Sequence, residues 1–414
     1  MAHLCSLPLM AVLMLLLASA CFSELEIEDP YVFDQRSFVT TVQCKAGQIR
    51  ALPNFSAGGR CELPRGLGDY SVAQISLEPR SVLLPHYIEA DLALYVTGGR
   101  GRVAFVHEER LVERQLRDGD VYAIAAGIPF YILNTDDSRR LFIHCLLRTQ
   151  CSTTGLYESF YVVGGRNPQN VLSQFSEDVL QAAFNSSKAV LDPMLVSGFN
   201  RGAIIRVSRE QMERLSRGRI KGFGGSEEPQ PFNLLYRNPD FSNNNGEIFT
   251  ADAADHRVLR RLNVGVQLLN LKPRSMTAPH YDTRSTRIGI VRNGRGILEL
   301  VRPQEQEQQQ QQQQGPTYQK LRANLNPGTV FLTRPGYPST VIASGNEALQ
   351  ILYLDNYSQG SRRQFLAGRS NVLRYLPREI KRLVFPSSAE EIEATLEAQE
   401  DEVLLNAQQG RADQ

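Results

Sequence analysis

The feature that most constrains the fold of this chain is a set of short motifs that occurs twice within 414 residues. In each copy, Leu-x-Pro-Arg-Ser is followed by Pro-His-Tyr, then by Gly-Arg-Gly, then by Gly-x-Val and Gly-x-Pro. The first copy places these motifs at residues 77–81, 85–87, 99–101, 119–121 and 127–129, and the second at residues 271–275, 279–281, 294–296, 328–330 and 336–338. Repetition on this scale predicts two similar domains in tandem.

Each copy lies in a region with the pattern of short antiparallel strands. Residues 70–77 alternate with period two, and Gly98-Gly99 and Asp118-Gly119 supply the turn chemistry of hairpins. Further strands are predicted at residues 92–97, 102–106, 121–124, 130–133 and 141–147, and in the second copy at residues 264–271, 286–291 and 296–301. The chain is therefore predicted to be mainly β, with each repeat forming a small antiparallel barrel or sandwich.

Helical patterns follow each β region. The predicted helices cover residues 173–184, 208–217, 378–383 and 389–400, with Ser176, Ser208 and Ser388 as N-caps and Gln211 at a capping-box position. The helices at 173–184 and 389–396 have apolar stripes outside the predicted barrels, and a soluble monomer seldom leaves such a patch exposed. Head-to-tail association in a closed ring would bury these stripes, so we expect a homo-oligomer.

The predicted boundaries follow the changes in pattern. Residues 1–20 are apolar, end in Ala-Ser-Ala, and are predicted to be a secretory signal peptide that is too short to span a bilayer. The other predicted segments are a first domain with its helices at 31–218, a Gly/Pro-rich linker at 219–231, a second domain with its helices at 232–402 and a loose tail at 403–414. Within the second domain, residues 304–316 are rich in glutamine and are predicted to be a disordered loop between two strands.

Charge excludes some partners, and composition suggests a use. The formal net charge is +1, so no global field directs the chain to nucleic acid or, after signal removal, to a membrane. Of the 45 basic residues 39 are arginine, and a run of glutamine occupies residues 308–314. Both side chains are rich in nitrogen. Composition alone leaves two interpretations open, which are compositional drift and nitrogen storage.

Two kinds of covalent modification are suggested by short motifs. In an oxidising compartment the cysteines of the first domain can pair in three ways, and the sequence does not choose among them. These cysteines are Cys44, Cys61, Cys145 and Cys151. Sequons for N-glycosylation occur at Asn54, Asn185 and Asn356.

Both repeats resemble cupin domains, which often hold a metal ion through a His-x-His motif, a following Glu and a later His. The first copy has only His86 at these positions. The second has His280 and Asp282, while Thr286 and Arg287 stand where the acid should lie. A catalytic metal needs about three protein ligands, so we expect neither a metal nor another cofactor, with His280 and Asp282 as the weak candidates.

Taken together, the segments outside the motifs resemble vicilin-type (7S) seed storage globulins over residues 33–400. The matching segments are Gly-Gly-Arg-Asn-Pro at 164–168, Phe-Ser-Glu-Asp-Val-Leu-Gln-Ala-Ala-Phe-Asn at 175–185, and residues 204–211, 365–369, 371–374 and 383–385. The resemblance implies a bicupin of two jelly-roll-like antiparallel barrels, each with a helical extension, that forms a homotrimer in the protein storage vacuole. It also implies a nitrogen and carbon reserve that proteases degrade at germination, with allergens among its relatives. Some vicilins bind copper through Cys-x-His, but the corresponding stretch here, residues 301–304, is Val-Arg-Pro-Gln.

Two alternatives to a non-catalytic reserve stay open on the sequence alone. One is a metal-dependent cupin enzyme that uses His280, Asp282 and a further ligand. The other is a bicupin that binds a sugar or another small molecule in a barrel lumen. The storage hypothesis is favoured because the metal-ligand positions are mostly lost and because the signal peptide, the nitrogen-rich composition and the family pattern agree with it.

Overall fold

The computed structural model describes residues 31–53, 70–149, 156–195, 199–217, 229–252, 257–304, 317–356 and 360–407. The predicted signal peptide, Asn54, Cys61, Cys151, most of the linker and nearly all of the glutamine-rich loop lie outside these ranges. Among the described residues, no helix combines the length and apolarity needed to cross a membrane.

Strands dominate the described residues. In the first half they are β1 (Val32–Phe33), β2 (Val39–Cys44), β3 (Gly47–Leu52), β4 (Tyr70–Leu77), β5 (Ser81–Ile88), β6 (Asp91–Gly98), β7 (Arg100–His107), β8 (Arg110–Arg117), β9 (Asp120–Ile124), β10 (Phe130–Asn134), β11 (Leu141–Arg148), β12 (Ser159–Tyr161) and β13 (Ile204–Arg206). In the second half they are β14 (Phe232–Asn233), β15 (Phe241–Asn243), β16 (Gly246–Ala251), β17 (Val264–Leu271), β18 (Ser275–Thr277), β19 (His280–Asp282), β20 (Arg287–Asn293), β21 (Gly296–Pro303), β22 (Tyr318–Leu325), β23 (Val330–Thr333), β24 (Ser339–Ala343), β25 (Leu349–Asn356), β26 (Arg363–Phe365) and β27 (Leu404–Asn406).

The helices are α1 (Glu177–Phe184), α2 (Lys188–Leu195), α3 (Arg209–Arg217), α4 (Arg257–Leu262), α5 (Arg378–Val384) and α6 (Ala389–Glu397). The capping box predicted for α3 is present, because the Gln211 amide donates to Ser208 Oγ and the Ser208 amide donates to Gln211 Oε1. Ser388 caps α6 in the same way. Ser176 occupies the N-cap position of α1, but its side chain makes no capping hydrogen bond.

Each half of the chain folds into two facing antiparallel sheets. The first barrel has one sheet with the order β14-β9-β6-β11-β4-β3-β2 and another with the order β12-β5-β10-β7-β8, with β13 joined to β5. The second barrel has the orders β1-β23-β20-β25-β17-β16-β15 and β22-β21-β24-β18-β27, with β19 joined to β24 and β26. In each barrel the first strand of the seven-stranded sheet, β14 or β1, comes from the other half of the chain. The predicted mainly-β fold with helical extensions is confirmed.

Apolar side chains alternate along these strands, so each barrel has its own interior and also an apolar outer face. Leu94 and Ile143 lie inside the first barrel, and Leu298 and Ile351 lie inside the second. The outer faces of the two seven-stranded sheets pack against each other in a shared core that we call the inter-barrel core. Its members include Tyr95 and Leu146 from the first barrel and Leu268 and Leu352 from the second.

The repeated Pro-Arg motif binds the chain where it returns from the helices to each barrel. Arg80 and Arg274 have left-handed backbone conformations, with φ values of 53° and 60°. Their carbonyl groups accept the amides of Val207 and Ala407, which follow the strands that return from the helices to each barrel. The first repeated motif therefore binds the returning strand in both halves, and in the first half α3 follows that strand.

The predicted loose tail at residues 403–414 is wrong for its first part. Leu404 and Leu405 are buried, and β27 pairs with β18 in register from Ser275 to Thr277. Two apolar side chains in sequence, together with a Leu404 carbonyl that accepts from the side-chain amide of Asn243, give the segment a defined place in the sheet. Residues 408–414 lie outside the described ranges.

Candidate functional site

The two candidate metal ligands lie on β19, inside the second barrel. This strand pairs with β24 and β26, and Asp282 is in register with Arg363. His280 is buried, and Asp282 is largely buried. Residues two apart on a strand point to the same face, so both side chains are directed at the same part of the lumen.

Two buried arginines surround Asp282. Arg287 Nε lies 2.8 Å from Asp355 Oδ1 and 3.7 Å from Asp282 Oδ2. Arg363 Nε lies 3.5 Å from the other carboxylate oxygen of Asp282. We call Asp282, Arg287, Asp355 and Arg363 the ion-pair quartet. It places two positive and two negative charges together and so neutralises itself inside the barrel.

Neutral side chains complete the surroundings of the quartet. Gln267 Oε1 accepts hydrogen bonds from the guanidinium groups of both Arg287 and Arg363. The guanidinium carbon of Arg287 lies 3.9 Å from the centre of the Tyr353 ring, which adds a cation–π contact. Each arginine therefore has polar partners in a region where an isolated charge would be strongly destabilising.

Each carboxylate of the quartet lies beside a guanidinium group, and the balance between burial and this charge shifts its pKa. Burial opposes the charge of Asp282, but Arg363 and Arg287 outweigh burial and lower the pKa of this carboxyl. Burial raises the pKa of Asp355, although Arg287 acts in the opposite direction. For Arg287, the attraction of Asp355 and Asp282 outweighs burial and raises the pKa. Both carboxylates therefore have guanidinium partners and are not available to bind a cation.

His280 is a neutral imidazole at neutral pH. Burial and then the nearby Arg363 charge lower its pKa to about 3. Nδ1 lies 2.8 Å from the Ala278 carbonyl and donates to it, which leaves the lone pair on Nε2. A metal ion beside this nitrogen would also lie beside two guanidinium groups, so the residues do not suit a metal. Within the described ranges, no three His, Cys, Asp or Glu side chains form a metal-ligand group.

The free space beside the quartet is small. A cavity of about 10 Å³ is lined by His280, Gln267, Arg363 and Tyr353, among others. That is roughly the space that one water molecule needs. The Nε–H of Arg363, which is ion-paired with Asp282, makes no hydrogen bond to the described residues.

The first barrel holds a different lumen. His86 Nδ1 donates to the Leu84 carbonyl at 2.8 Å, and its ring packs on Phe130 and Tyr161. Burial lowers the pKa of His86 to about 4. The adjoining cavity measures about 20 Å³ and is lined mostly by aliphatic side chains. His86 is therefore a core residue packed against aromatic rings, and among the described residues no carboxylate lines the adjoining cavity.

The stretch that corresponds to a copper motif in some vicilins contains an arginine, Arg302, in place of the copper ligands. The guanidinium carbon of Arg302 lies 5.7 Å from the centre of the Tyr31 ring. Arg334 donates to the hydroxyl groups of both Tyr31 and Tyr337, at 3.4 and 3.3 Å. Two guanidinium groups and two phenols do not form a ligand set for copper, which prefers imidazole and thiolate.

The structure places the predicted modification residues in different environments. Cys44 is half-buried and Cys145 is buried, and neither forms a disulfide with a cysteine in the described ranges. Asn185 is exposed in the turn between α1 and α2. Asn356 is 1% exposed and its side-chain oxygen accepts the Thr286 amide, so this sequon does not suit a glycan in the folded chain.

Exposed apolar side chains on the helices form a second candidate site. On α1 and α2 they are Val179, Phe184, Val190 and Met194. On α5 and the turn before it they are Tyr375, Leu376, Ile380, Leu383 and Val384. We call these sets the N-arm face and the C-arm face. They lie on separate helical extensions. The exposure on residues 173–184 was predicted, although α2 was not. The prediction of an exposed stripe on residues 389–396 is wrong, because Ile392 is buried and the exposed side chains lie on α5 and the turn before it.

Comparisons with known proteins agree with this architecture. The family model described as Cupin matches residues 62–191 and 232–393. Vicilin Pis v 3.0101 of Pistacia vera is 34% identical over 401 residues, which span 94% of this chain and 72% of the relative. Vicilin Jug r 6.0101 of Juglans regia is 34% identical over 399 residues, which span 92% of this chain and 78% of the relative.

Solved structures give the same picture. The vicilin of Corylus avellana superposes with a TM-score of 0.81 at 31% identity, and the match covers 91% of this chain and 99% of that one. A Solanum melongena vicilin, described as having different anionic ligands in structurally similar pockets, superposes with a TM-score of 0.84 at 28% identity. That match covers 94% of this chain and 100% of the other.

Proposed function

This chain belongs to the vicilin-type (7S) globulins of the cupin superfamily and is a non-catalytic seed storage protein, and from this premise we propose that it is a homotrimeric reserve of the protein storage vacuole. The reserve would supply nitrogen and carbon when proteases degrade it at germination. The arginine-rich composition supports this use, because each guanidinium group carries three nitrogen atoms.

The observation that supports the trimer is the exposure of apolar side chains on the two arm faces. Val190 on the N-arm face is 59% exposed, and Leu383 on the C-arm face is 80% exposed. Soluble monomers rarely expose contiguous apolar patches of this kind. A head-to-tail contact buries the C-arm face of one protomer on the N-arm face of the next, and such contacts form a ring when the rotation closes.

Light scattering and sedimentation of the purified protein test the assembly. We expect a mass three times that of one protomer at micromolar concentration. A monomer under those conditions would contradict the trimer.

Seed tissue provides the test of location and use. Antibody labelling of developing seed sections is expected to place the protein in storage vacuoles. Immunoblots through germination are expected to show its loss. Persistence of the intact protein in the seedling would argue against a mobilised reserve.

We also propose that neither lumen holds a stoichiometric transition metal. The support is the ion-pair quartet, in which guanidinium groups take the carboxylate oxygens that a metal would need. Elemental analysis of protein purified without chelators should give well under one metal per protomer. One tightly bound metal per protomer would revive the cupin-enzyme alternative, which the storage-globulin names of the relatives do not support.

A second candidate function is the binding of a small carboxylate in the second barrel. It is favoured by Arg363, whose Nε–H is ion-paired with Asp282 at 3.5 Å but makes no hydrogen bond to the described residues, and by the anionic ligands described for the Solanum melongena vicilin. The cavity of about 10 Å³ opposes it, because acetate or a sugar needs more room than one water. Calorimetric titration with acetate and with sucrose, compared with an Arg363→Met variant, distinguishes the two cases. Heat that disappears in the variant would support a carboxylate site, and no heat would support a closed core.

A further inference from the structure

The two barrels exchange their first strands. β1 precedes the first barrel in sequence, yet it pairs with β23 of the second barrel, with Val32 opposite Phe331 and Phe33 opposite Val330. β14 precedes the second barrel, yet it pairs with β9 of the first. Each exchanged strand is the outermost strand of its seven-stranded sheet. Each barrel therefore depends on a strand that enters from the other half of the chain.

The repeated Gly-x-Val motif receives both exchanged strands. In the first barrel the Gly119 carbonyl accepts the Leu234 amide, which follows β14. In the second barrel the Gly328 carbonyl accepts the side-chain amide of Gln35 at 2.9 Å. A Cβ at Gly119 would lie 2.7 Å from Leu235, and one at Gly328 would lie 1.9 Å from Gln35. The two glycines thus provide the space against which the exchanged segments pack.

The segment that enters the second barrel, residues 31–35, is short; we call it the crossover segment. Side chains anchor both of its ends, because Arg334 donates to the Tyr31 hydroxyl and Arg50 donates to Gln35. The Leu332 amide donates to the Tyr31 carbonyl at 2.8 Å, and only two residues of β1 are in strand register. The rings of Tyr31 and Phe33 are buried in the inter-barrel core. A strand of two residues depends on its covalent connection, which keeps its effective concentration high.

That connection passes through an exposed turn. Residues Gln35–Ser37 form a single 3-10 turn capped by Asp34. The side chain of Arg36 is 85% exposed, and its ion pair with Asp34 is also at the surface. Arg36 is the first Lys or Arg in the sequence, so a protease specific for basic residues has no earlier site. Cleavage after Arg36 would disconnect the whole crossover segment from the rest of the chain.

We propose that the Arg36–Ser37 peptide bond is a processing site whose hydrolysis by a protease specific for basic residues opens the second barrel. Water adds across the bond and leaves a carboxylate on Arg36 and an ammonium group on Ser37. The released crossover segment then dissociates from β23. This step exposes the edge of that strand and removes Tyr31 and Phe33 from the inter-barrel core. Its role in mobilisation rests on the proposed degradation at germination.

The test combines limited proteolysis of the purified full-length protein with hydrogen exchange. Trypsin serves as the probe, and the new N-terminus at Ser37 is identified by sequencing. After cleavage, exchange at the Leu332 amide is expected to rise at least tenfold. Arg36→Gln should keep that amide protected through the same digestion, and Arg36→Lys, which trypsin also cleaves, should behave as the wild type does. Arg110→Gln, at an exposed hairpin of the first barrel, is the matched control and should not protect Leu332.

A synthetic peptide of residues 29–36, added in excess to the cleaved protein, is expected to restore protection of the Leu332 amide. The proposal is overturned if trypsin does not cut after Arg36, if protection survives the cut, or if Arg36→Gln loses protection as fast as the wild type. These outcomes concern the isolated protein. If the reserve persists through germination, cleavage after Arg36 has no role in mobilisation, but the hydrogen-exchange result for the isolated protein still holds.

Discussion

Arg287 shows how one side chain can supply the positive charge that a cupin lumen otherwise takes from an ion. It stands at a position where metal-binding cupins carry an acid, and it contacts Asp355 and Asp282 instead. A buried charge is tolerated only when its partners are present, so the quartet is sensitive to the loss of one member. The charged side chains of the second lumen are therefore stabilised by pairing with one another.

Replacing Arg287 tests this dependence. Arg287→Met is expected to cost about 3–5 kcal/mol of unfolding free energy, because Asp355 loses its closest cation and Asp282 loses one of its two guanidinium partners. The double variant Arg287→Met with Asp355→Leu should recover part of that loss. Urea unfolding at pH 7.5 measures both values. Arg322→Met, on the exposed strand β22, is the control and should change stability by less than about 1 kcal/mol. An equally small effect of Arg287→Met would contradict the assigned role.

Protonation of His280 gives a prediction about pH. Its pKa is lowered from 6.5 to about 3 in the folded chain. Between these values the unfolded chain binds a proton that the folded chain does not bind, so stability falls as the pH is lowered below 6.5. At pH 5 the loss from this residue is about 2 kcal/mol. Asp282 has a lowered pKa and adds its loss only at still lower pH, below 3.8.

The measurement compares urea unfolding at pH 7.5 and pH 5.0 for the wild type and His280→Gln. The variant should lose about 2 kcal/mol less than the wild type over this range. His107→Gln, in a surface hairpin, controls for the replacement of a histidine as such. If His280→Gln and the wild type lose the same amount, the buried neutral imidazole is not responsible.

Local sequence identified some residues of this site and could not identify others. His280 and Asp282 were found because they match a motif, and Arg287 was noticed because it breaks one. Asp355 and Arg363 come from β25 and β26, and no local pattern connects them to β19. Only the pairing of strands distant in sequence brings the four charges together. For this reason the sequence predicted a missing metal site and did not predict the ion-pair quartet.

At the scale of elements, prediction succeeded where the signal was local. The capping box at Ser208, the N-cap at Ser388 and strand β4 depend on neighbours in sequence, and all three are confirmed. Helix α2 was missed because Pro193 lies within it and an Asn-Ser-Ser turn precedes it. The exchanged strands were missed for another reason. Alternation indicates a strand but does not say which sheet the strand joins.

The C-terminal extension depends on one buried lysine. Lys381 Nζ donates to the Arg374 carbonyl at 2.9 Å and to both carboxylate oxygens of Glu393 at 3.1 Å, so it joins α5 to α6 and to the preceding turn. Lys381→Met is expected to cost this extension about 1–2 kcal/mol, because Glu393 loses its partner. The Ile392 amide, which donates to the Ser388 carbonyl, should then exchange about 5–30 times faster.

Lys320→Met, on an exposed position of β22, is the control for the loss of a lysine. It should leave exchange at Ile392 unchanged. Exchange that is equally slow in Lys381→Met would show that the helices pack without the lysine.

At the scale of the molecule, the two barrels form one structural unit. The inter-barrel core joins the outer faces of both seven-stranded sheets, and the exchanged strands connect each sheet to the other half of the chain. Arg292 adds a polar contact, since it donates to the Thr97 carbonyl at 2.8 Å. The helical extensions contain the two sets of exposed apolar side chains that form the arm faces. Rigid barrels therefore present two separate arm faces for assembly.

Whether those faces meet head to tail or pair with themselves is decided by two variants. Val190→Asp introduces a charge on the N-arm face, and Leu383→Asp introduces one on the C-arm face. In a head-to-tail ring every contact uses one face of each kind, so each variant alone should be monomeric by light scattering. An equimolar mixture should form a heterodimer, because the intact C-arm face of the first variant meets the intact N-arm face of the second.

Self-pairing faces give the opposite pattern. Val190→Asp would still dimerise through two C-arm faces, and Leu383→Asp through two N-arm faces, so mixing would produce nothing new. Val106→Asp, an exposed apolar position on β7 outside both faces, should leave the trimer intact and serves as the control. A heterodimer forms only if an intact C-arm face binds an intact N-arm face, and the mixture is the one sample that contains both. The mixing experiment therefore tests whether the contact is head to tail, and not simply how apolar the faces are.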